Sequence, residues 1–344
     1  MSIAHRRLAA AALLAAPLVL AACSGSGDEA SSTTVAADAP ACPTTPVNVV
    51  VSVDQWGDVV SDLGGACATV TTLLASSSVD PHDYEPSPAD AAKFEGAQLV
   101  VVNGGHYDEW AAKLAAGSAP DAPIVDALLT SGGEAADHDH GADHDHGTDP
   151  DHGAQPHGQD ADGHDHGGAN PHVWYSPTAV TAVADAVTAR LTALSPDAGQ
   201  YFAERRADFA TQLEPYDDVI AKIKAQAPGK GYAATESVFD DMAAAVGLQN
   251  RTPPGYQAAS SNETDPSPAD LDAMLALLRD KGVDVLIYNT QTEGSVPQQV
   301  RAAAESAGVP VVEVTETVPP GVDSFEAWQV NQLNSLAKAL GVAV

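Results

Sequence analysis

Short apolar runs recur along the chain with few polar interruptions, at 47–53 (VNVVVSV), 69–74, 99–103, 284–288 and 309–314. Runs without alternation suit strands buried on both faces, as in a parallel sheet. Between them lie helical stretches at 55–63, 106–116 and 294–307. Strand and helix in alternation predict an α/β layering. The pentapeptide PSPAD occurs twice, at Pro86–Asp90 and Pro266–Asp270. Each copy reads as a helix start, with Ser as the cap, Pro in the first turn and Asp three residues after the cap. Each leads to an apolar strand, AQLVVVNG in one half and VDVLIYNT in the other. The expected fold is therefore two similar lobes, each a mostly parallel sheet flanked by helices.

The strongest helical pattern lies between these halves. Residues 176–194 place Val180, Val183, Ala184, Val187, Leu191 and Leu194 on one stripe. After a new cap at Ser195-Pro196, residues 197–226 carry Phe202, Phe209, Leu213, Tyr216, Ile220 and Ile223 at steps of three, four and seven. A helix of that length is about 45 Å long and would join the lobes as a long spine, ended by Pro228-Gly229. The resulting layout is a signal peptide at 1–22, a tether at 23–40, an N-terminal lobe at 41–194 with an insertion at 134–169, a spine helix at 195–227 and a C-terminal lobe at 228–344.

Composition adds a compartment. Arg6 and Arg7 precede a short apolar stretch that ends in Leu20-Ala21-Ala22-Cys23, followed by small polar residues. This resembles the lipobox of bacterial lipoproteins, which implies cleavage before Cys23, lipid on its sulfur and an extracytoplasmic protein anchored to the cell membrane. An exported chain can keep a disulfide. Cys42 and Cys67 each stand just before an apolar strand, and adjacent strands would bring them together as a bridge. The net charge is −32, from 15 basic and 47 acidic residues. That excludes nucleic acid as a partner and favours attraction of cations.

Candidate chemistry rests on histidine. Eight of the twelve histidines lie within residues 137–166: His138, His140, His144, His146, His152, His157, His164 and His166. Interleaved with Asp and Gly, they form a tract that cannot pack a core but can gather metal ions weakly and in numbers, less so as pH falls. Outside the tract and the signal stand His82 in DPHDYEPSPAD, His172 in NPHVWYSP, and His106 in NGGHYDEW. His82 and His172 sit beside proline at strand-to-helix junctions, where open α/β sheets build their sites and where a restrained imidazole is a good ligand. His106 reads as cleft-lining or solvated, and Trp110 and Trp174 as packing residues.

The motifs VDPHDYEPSPAD, NPHVWYSP, ATESVFDDMAAAVGL and LIYNTQTEGSVPQQV are similar to those of the zinc- and manganese-type solute-binding proteins of ABC transporters, over roughly residues 45 to 342 with the tract as an insertion. The resemblance implies that His82, His172 and Glu236 are metal ligands. It places a fourth carboxylate nearest to Glu293, with Gln291 or water as alternatives because YNTQTEGS departs from the family pattern. It implies a binding protein that captures Zn²⁺ between the lobes as transported ligand and delivers it to an ABC permease. Glu in the third position is the manganese-type choice, so Mn²⁺ is the alternative, while the histidine arm favours zinc. Two other readings are a secreted zinc-dependent hydrolase and a surface metal-buffering or adhesion protein using the arm alone. Neither HExxH nor G-x-S-x-G occurs, so an enzyme is not expected.

Overall fold

The computed structural model describes residues 41–75, 82, 84–133, 169–262, 264–292 and 294–344. The signal peptide, the tether with Cys23, the eight tract histidines and Glu293 lie outside the described residues. Among those described, no helix is long and apolar enough to cross a membrane.

Two four-stranded sheets form the frame. The first contains β1 (Val47–Val53), β2 (Ala68–Leu74), β3 (Leu99–Val102) and β4 (Ile124–Asp126) in the order β2-β1-β3-β4. The second contains β5 (Gly231–Ala234), β6 (Gln249–Asn250), β7 (Val285–Asn289) and β8 (Val311–Val314) in the equivalent order β6-β5-β7-β8. Every pairing is parallel. The repeated device seen in the sequence is therefore a repeated topology, since both PSPAD helices lead into the third strand of their sheet. In α2 (Pro88–Lys93), Ser87 accepts from the Asp90 amide and Asp90 returns the bond to the Ser87 amide. In α10 (Pro268–Arg279), Ser267 accepts from the Asp270 amide.

The remaining helices are α1 (Asp54–Gly64), α3 (Glu109–Ser118), α4 (Ala127–Thr130), α5 (Pro177–Leu194), α6 (Gly199–Gln212), α7 (Glu214–Gln226), α8 (Asp240–Ala245), α9 (Pro254–Ser261), α11 (Ser295–Ala307) and α12 (Phe325–Leu340). The spine runs as two consecutive helices, α6 and α7, with the break at Leu213. Pro215 in the first turn of α7 has no N–H to offer the Thr211 carbonyl, which removes one helical bond. The backbone stays helical through Leu213, whose amide bonds Phe209 O and whose carbonyl accepts from Asp217.

One apolar core runs from the first sheet through α1, α5, α6 and α7 to the second sheet and α12, with Trp56, Trp174, Phe202, Phe209, Tyr216 and Trp328 fully buried within it. Smaller clusters cover the far face of each sheet. The lobes are thus fused by packed side chains, which disfavours wide opening. At Gly57 α1 lies so close to β2 that an added Cβ would collide with Thr72 Oγ1. Cys42 and Cys67 are joined in a disulfide, their Cα atoms 4.9 Å apart, which ties the segment before β1 to the start of β2.

Asp54, Asp58 and Asp62 repeat at i, i+4 and i+8 on α1 and so share one face. Asp54 lies near the Val318 backbone, and Asp58 and Asp62 face Glu326 of α12. Burial, then the charge of Glu326, pushes the Asp62 carboxyl up to about 7, with Arg205 opposing. A folded-state value above the unfolded one means stability is fully present at low pH and declines as pH rises from the ordinary carboxylate range to about 7. Asp62→Asn should therefore raise the melting temperature by about 2 °C more at pH 8 than at pH 5, as differential scanning calorimetry at the two pH values would read.

Candidate metal centre

Parallel sheets place their ligand-bearing loops at the carboxyl ends of the strands. Here the two sheets turn those ends toward one another. His82 comes from the segment between β2 and α2. His172 comes from the loop that precedes α5, immediately before a 3₁₀ turn at Val173–Tyr175. Glu236 stands two residues beyond β5, and Glu316 two residues beyond β8.

Ligand atoms of His82, His172 and Glu316 lie within 4.8 Å of one another, the metal-competent group found among the described residues. Glu316 Oε2 is 4.0 Å from His82 Nε2 and 3.8 Å from His172 Nε2. The imidazole centroids are 5.8 Å apart. His172 and Glu316 are buried, at 6% and 5% exposure, while His82 keeps partial access to solvent. Two imidazole nitrogens and a carboxylate oxygen are a donor set for a first-row divalent cation.

Each ligand is held by neighbours. His172 Nδ1–H donates to Asn170 Oδ1 at 2.7 Å, because the Asn170 amide nitrogen is turned to donate to Ser237 O at 3.0 Å. That tautomer leaves the His172 Nε2 lone pair facing Glu316. The loop carrying His172 is fixed from below by Asn103, whose Nδ2 donates to Pro171 O at 2.8 Å while its Oδ1 accepts from Trp56 Nε1. Asp108, itself buried, receives the Asn103 and Gly104 amides. Tyr107 packs edge-on against His82 at 4.7 Å, and Trp174 packs edge-on against His172 at 5.3 Å.

Two contacts from the His172 loop cross to the second lobe. Asn170 bonds the carbonyl next to Glu236, and the buried Tyr175 hydroxyl donates to Thr315 O, next to Glu316, at 2.7 Å. Gln332 Oε1 accepts the Thr315 amide at 3.0 Å and lies 2.8 Å from the same hydroxyl.

Glu236 stands outside the three-residue group. Its Oε2 accepts from Asn289 Nδ2 at 2.7 Å, and its Oε1 accepts from the Thr292 hydroxyl. Asn289 Nδ2 also donates to Glu316 Oε1 at 2.7 Å, so one amide joins the two carboxylates. Gln291 is turned toward the Glu316 loop. Its Oε1 accepts the amides of Glu316 at 2.6 Å and Thr317 at 3.0 Å, and so supports the Glu316 loop. Glu293 lies outside the described residues. The carboxylate that the structure brings to the imidazoles is Glu316, which the sequence reading missed. A usable signal was present, because Glu316 follows the last apolar run, 309–314, as Glu236 follows β5. His106 points elsewhere: its backbone has φ +64°, its side chain is exposed, and its Nδ1 is 2.5 Å from Glu109 Oε1. Trp110 packs on Tyr84 at 4.8 Å, and Trp174 is fully buried.

The fold is that of two lobes built on parallel sheets, and the candidate site is a group of two imidazoles and a carboxylate beside their strand ends. Residues 49–339 match the family described as zinc-uptake complex component A, periplasmic (ZnuA). The chain belongs to this family. It is similar to the zinc-binding lipoprotein AdcA of Streptococcus pneumoniae, 25% identical over 272 residues, covering 76% of this chain and 48% of that protein. It is 26% identical over 220 residues to the high-affinity zinc uptake system protein ZnuA of Bacillus subtilis, covering 63% of this chain and 62% of that one. The chain thus spans about half to three-fifths of the length of these curated relatives. Among solved structures, the periplasmic zinc-binding protein TroA of Treponema pallidum superposes with a TM-score of 0.65 at 16% identity, covering 86% of this chain and 99% of that one. A Mn-bound mutant of a periplasmic metal-binding protein from Candidatus Liberibacter asiaticus gives 0.65 at 17% identity with the same coverage. These likenesses establish the fold.

Burial, then the neighbouring His82, pushes the His172 imidazole down to about 3. A base with a folded value below its unfolded one adds stability above pH of about 6.5, lost as pH falls through about 3. In the metal-free protein, ¹⁵N-edited NMR at pH 5 should show His172 neutral and protonated on Nδ1; an imidazolium signal there would contradict the burial and the Asn170 bond.

Proposed function

We propose that the chain is the lipid-anchored, extracytoplasmic receptor of a divalent-metal importer, taking one Zn²⁺ between its lobes and passing it to an ABC permease. The observation that carries this reading is the convergence of His82, His172 and Glu316 within 4.8 Å, from loops of both lobes. Glu236, tied to Glu316 through Asn289, supplies the fourth donor by giving up its Thr292 bond to the cation. Two neutral imidazoles and two carboxylates match both the coordination number of Zn²⁺ and its charge. Four protein donors leave no open position for an activated water, which separates a receptor from a hydrolase.

Zinc is favoured by the names of the curated relatives and by the histidine-rich sequence, which would collect Zn²⁺ weakly and lose it as its imidazoles protonate. Mn²⁺ is the competing cargo, since carboxylate oxygens suit harder ions. Release to the permease requires the Asn170–Ser237 and Tyr175–Thr315 bonds to give way, because both hold the ligand loops together.

The test uses residues 24–344, with and without 134–169, in calorimetric titrations of Zn²⁺ and in Zn²⁺/Mn²⁺ competition. The armless protein should retain one tight site that prefers Zn²⁺. His82→Ala, His172→Ala and Glu316→Ala should each weaken it by more than the ~10–100-fold that removal of a supporting residue costs. Tight binding that disappears with the arm, or that survives Glu316→Ala unchanged, would refute the reading.

A further inference from the structure

Asn289 is the last residue of β7, and β7 lies between β5 and β8. Its neighbours on either side are therefore the two strands whose loops carry Glu236 and Glu316. The register holds it there: its amide donates to Thr235 Oγ1 at 3.1 Å, and Thr290 N donates to Val314 O at 3.0 Å. The side chain is 1% exposed. Its Oδ1 accepts from the Gln291 amide at 3.1 Å, which turns Nδ2 toward the carboxylates. The two hydrogens on Nδ2 then go one to Glu236 Oε2 and one to Glu316 Oε1, both at 2.7 Å.

This arrangement divides the oxygens of Glu316. Oε1 is taken by Asn289, while Oε2 faces His82 Nε2 and His172 Nε2. A carboxylate held this way offers a cation one oxygen. Ions that accept four donors tolerate that restriction, whereas ions that seek six or more gain from bidentate carboxylates. The amide also places a donor between two like charges without adding a charge of its own.

On the footing of the proposed metal-receptor function, we infer that Asn289 is a positioning residue that spaces Glu236 from Glu316, holds Glu316 monodentate, and thereby biases the cleft toward Zn²⁺ over Mn²⁺. Neither a carboxylate nor a hydroxyl can replace it, since the first donates nothing when ionised and the second donates once.

The experiment compares the parent with Asn289→Asp and Asn289→Ser in the full chain from residue 24. Three readouts are taken: Zn²⁺/Mn²⁺ competition, the visible spectrum of the Co²⁺-loaded protein, and the melting temperature of the metal-free protein. In both variants Zn²⁺ affinity should fall about 10–100-fold, the span typical of supporting residues. The Zn²⁺/Mn²⁺ preference should fall about tenfold, and the Co²⁺ bands should weaken as coordination number rises. In the metal-free protein, Glu316→Gln should restore the melting temperature lost in Asn289→Asp, because it removes one of the crowded charges and supplies a donor. An unchanged metal preference, or a melting temperature that Glu316→Gln does not restore, overturns the inference. A parent that fails to bind Zn²⁺ or Co²⁺ overturns the receptor reading instead. The metal-free rescue still tests the role of Asn289 in that case.

Discussion

The site depends on two hydrogen bonds thrown across the cleft by one short loop. Asn170 reaches Ser237, and Tyr175 reaches Thr315. His172 lies between them in the chain, and their acceptors are the immediate neighbours of Glu236 and Glu316. A single loop of the first lobe thus sets His172 against both carboxylates of the second. The continuous core beneath adds stiffness, since Tyr175 also packs on Phe239 and Trp328 at 5.0 and 5.9 Å. Under the proposed function, a site assembled in this way needs little rearrangement on loading, so less binding energy is lost to ordering.

Buried carboxamides do most of the positioning. Asn103 holds the Pro171 carbonyl, Asn170 orients the His172 ring, Asn289 bridges the acids and Gln291 anchors the Glu316 backbone. An amide offers both a donor and an acceptor while remaining neutral. These carboxamides therefore add no charge of their own to the pocket. Asn103 and Asn289 also stand at equivalent places, each at the carboxyl end of the third strand of its sheet, so the two lobes support their ligand loops by the same means.

Much of the architecture was legible in the sequence, and its failures have physical causes. The Val-rich runs and the two PSPAD caps carried local signals strong enough to place β1, β2, β3, β7, β8, α2 and α10. The strands β4, β5 and β6 have three, four and two residues, and β5 reads GYAA, with no β-branched residue to mark it. The helix expected at 106–116 begins at Glu109, because positive φ at Gly104, Gly105 and His106 delays it. The spine was read from its apolar stripe, which continues past Pro215 because a proline in a first turn breaks one bond and not the face.

By itself the sequence determined the alternation of strand and helix, the pairing of halves, and two imidazoles beside proline, since each depends on residues near one another in the chain; His172 was expected after a strand but follows α4. Which carboxylate meets those imidazoles was decided by tertiary structure. Glu316 lies 144 positions from His172 in the numbering and in a stretch, VVEVTETVPP, whose one local mark is its place after an apolar run. It meets the imidazoles because the second sheet aligns the ends of β5, β7 and β8 in one row, and because the fused core turns that row toward the first lobe.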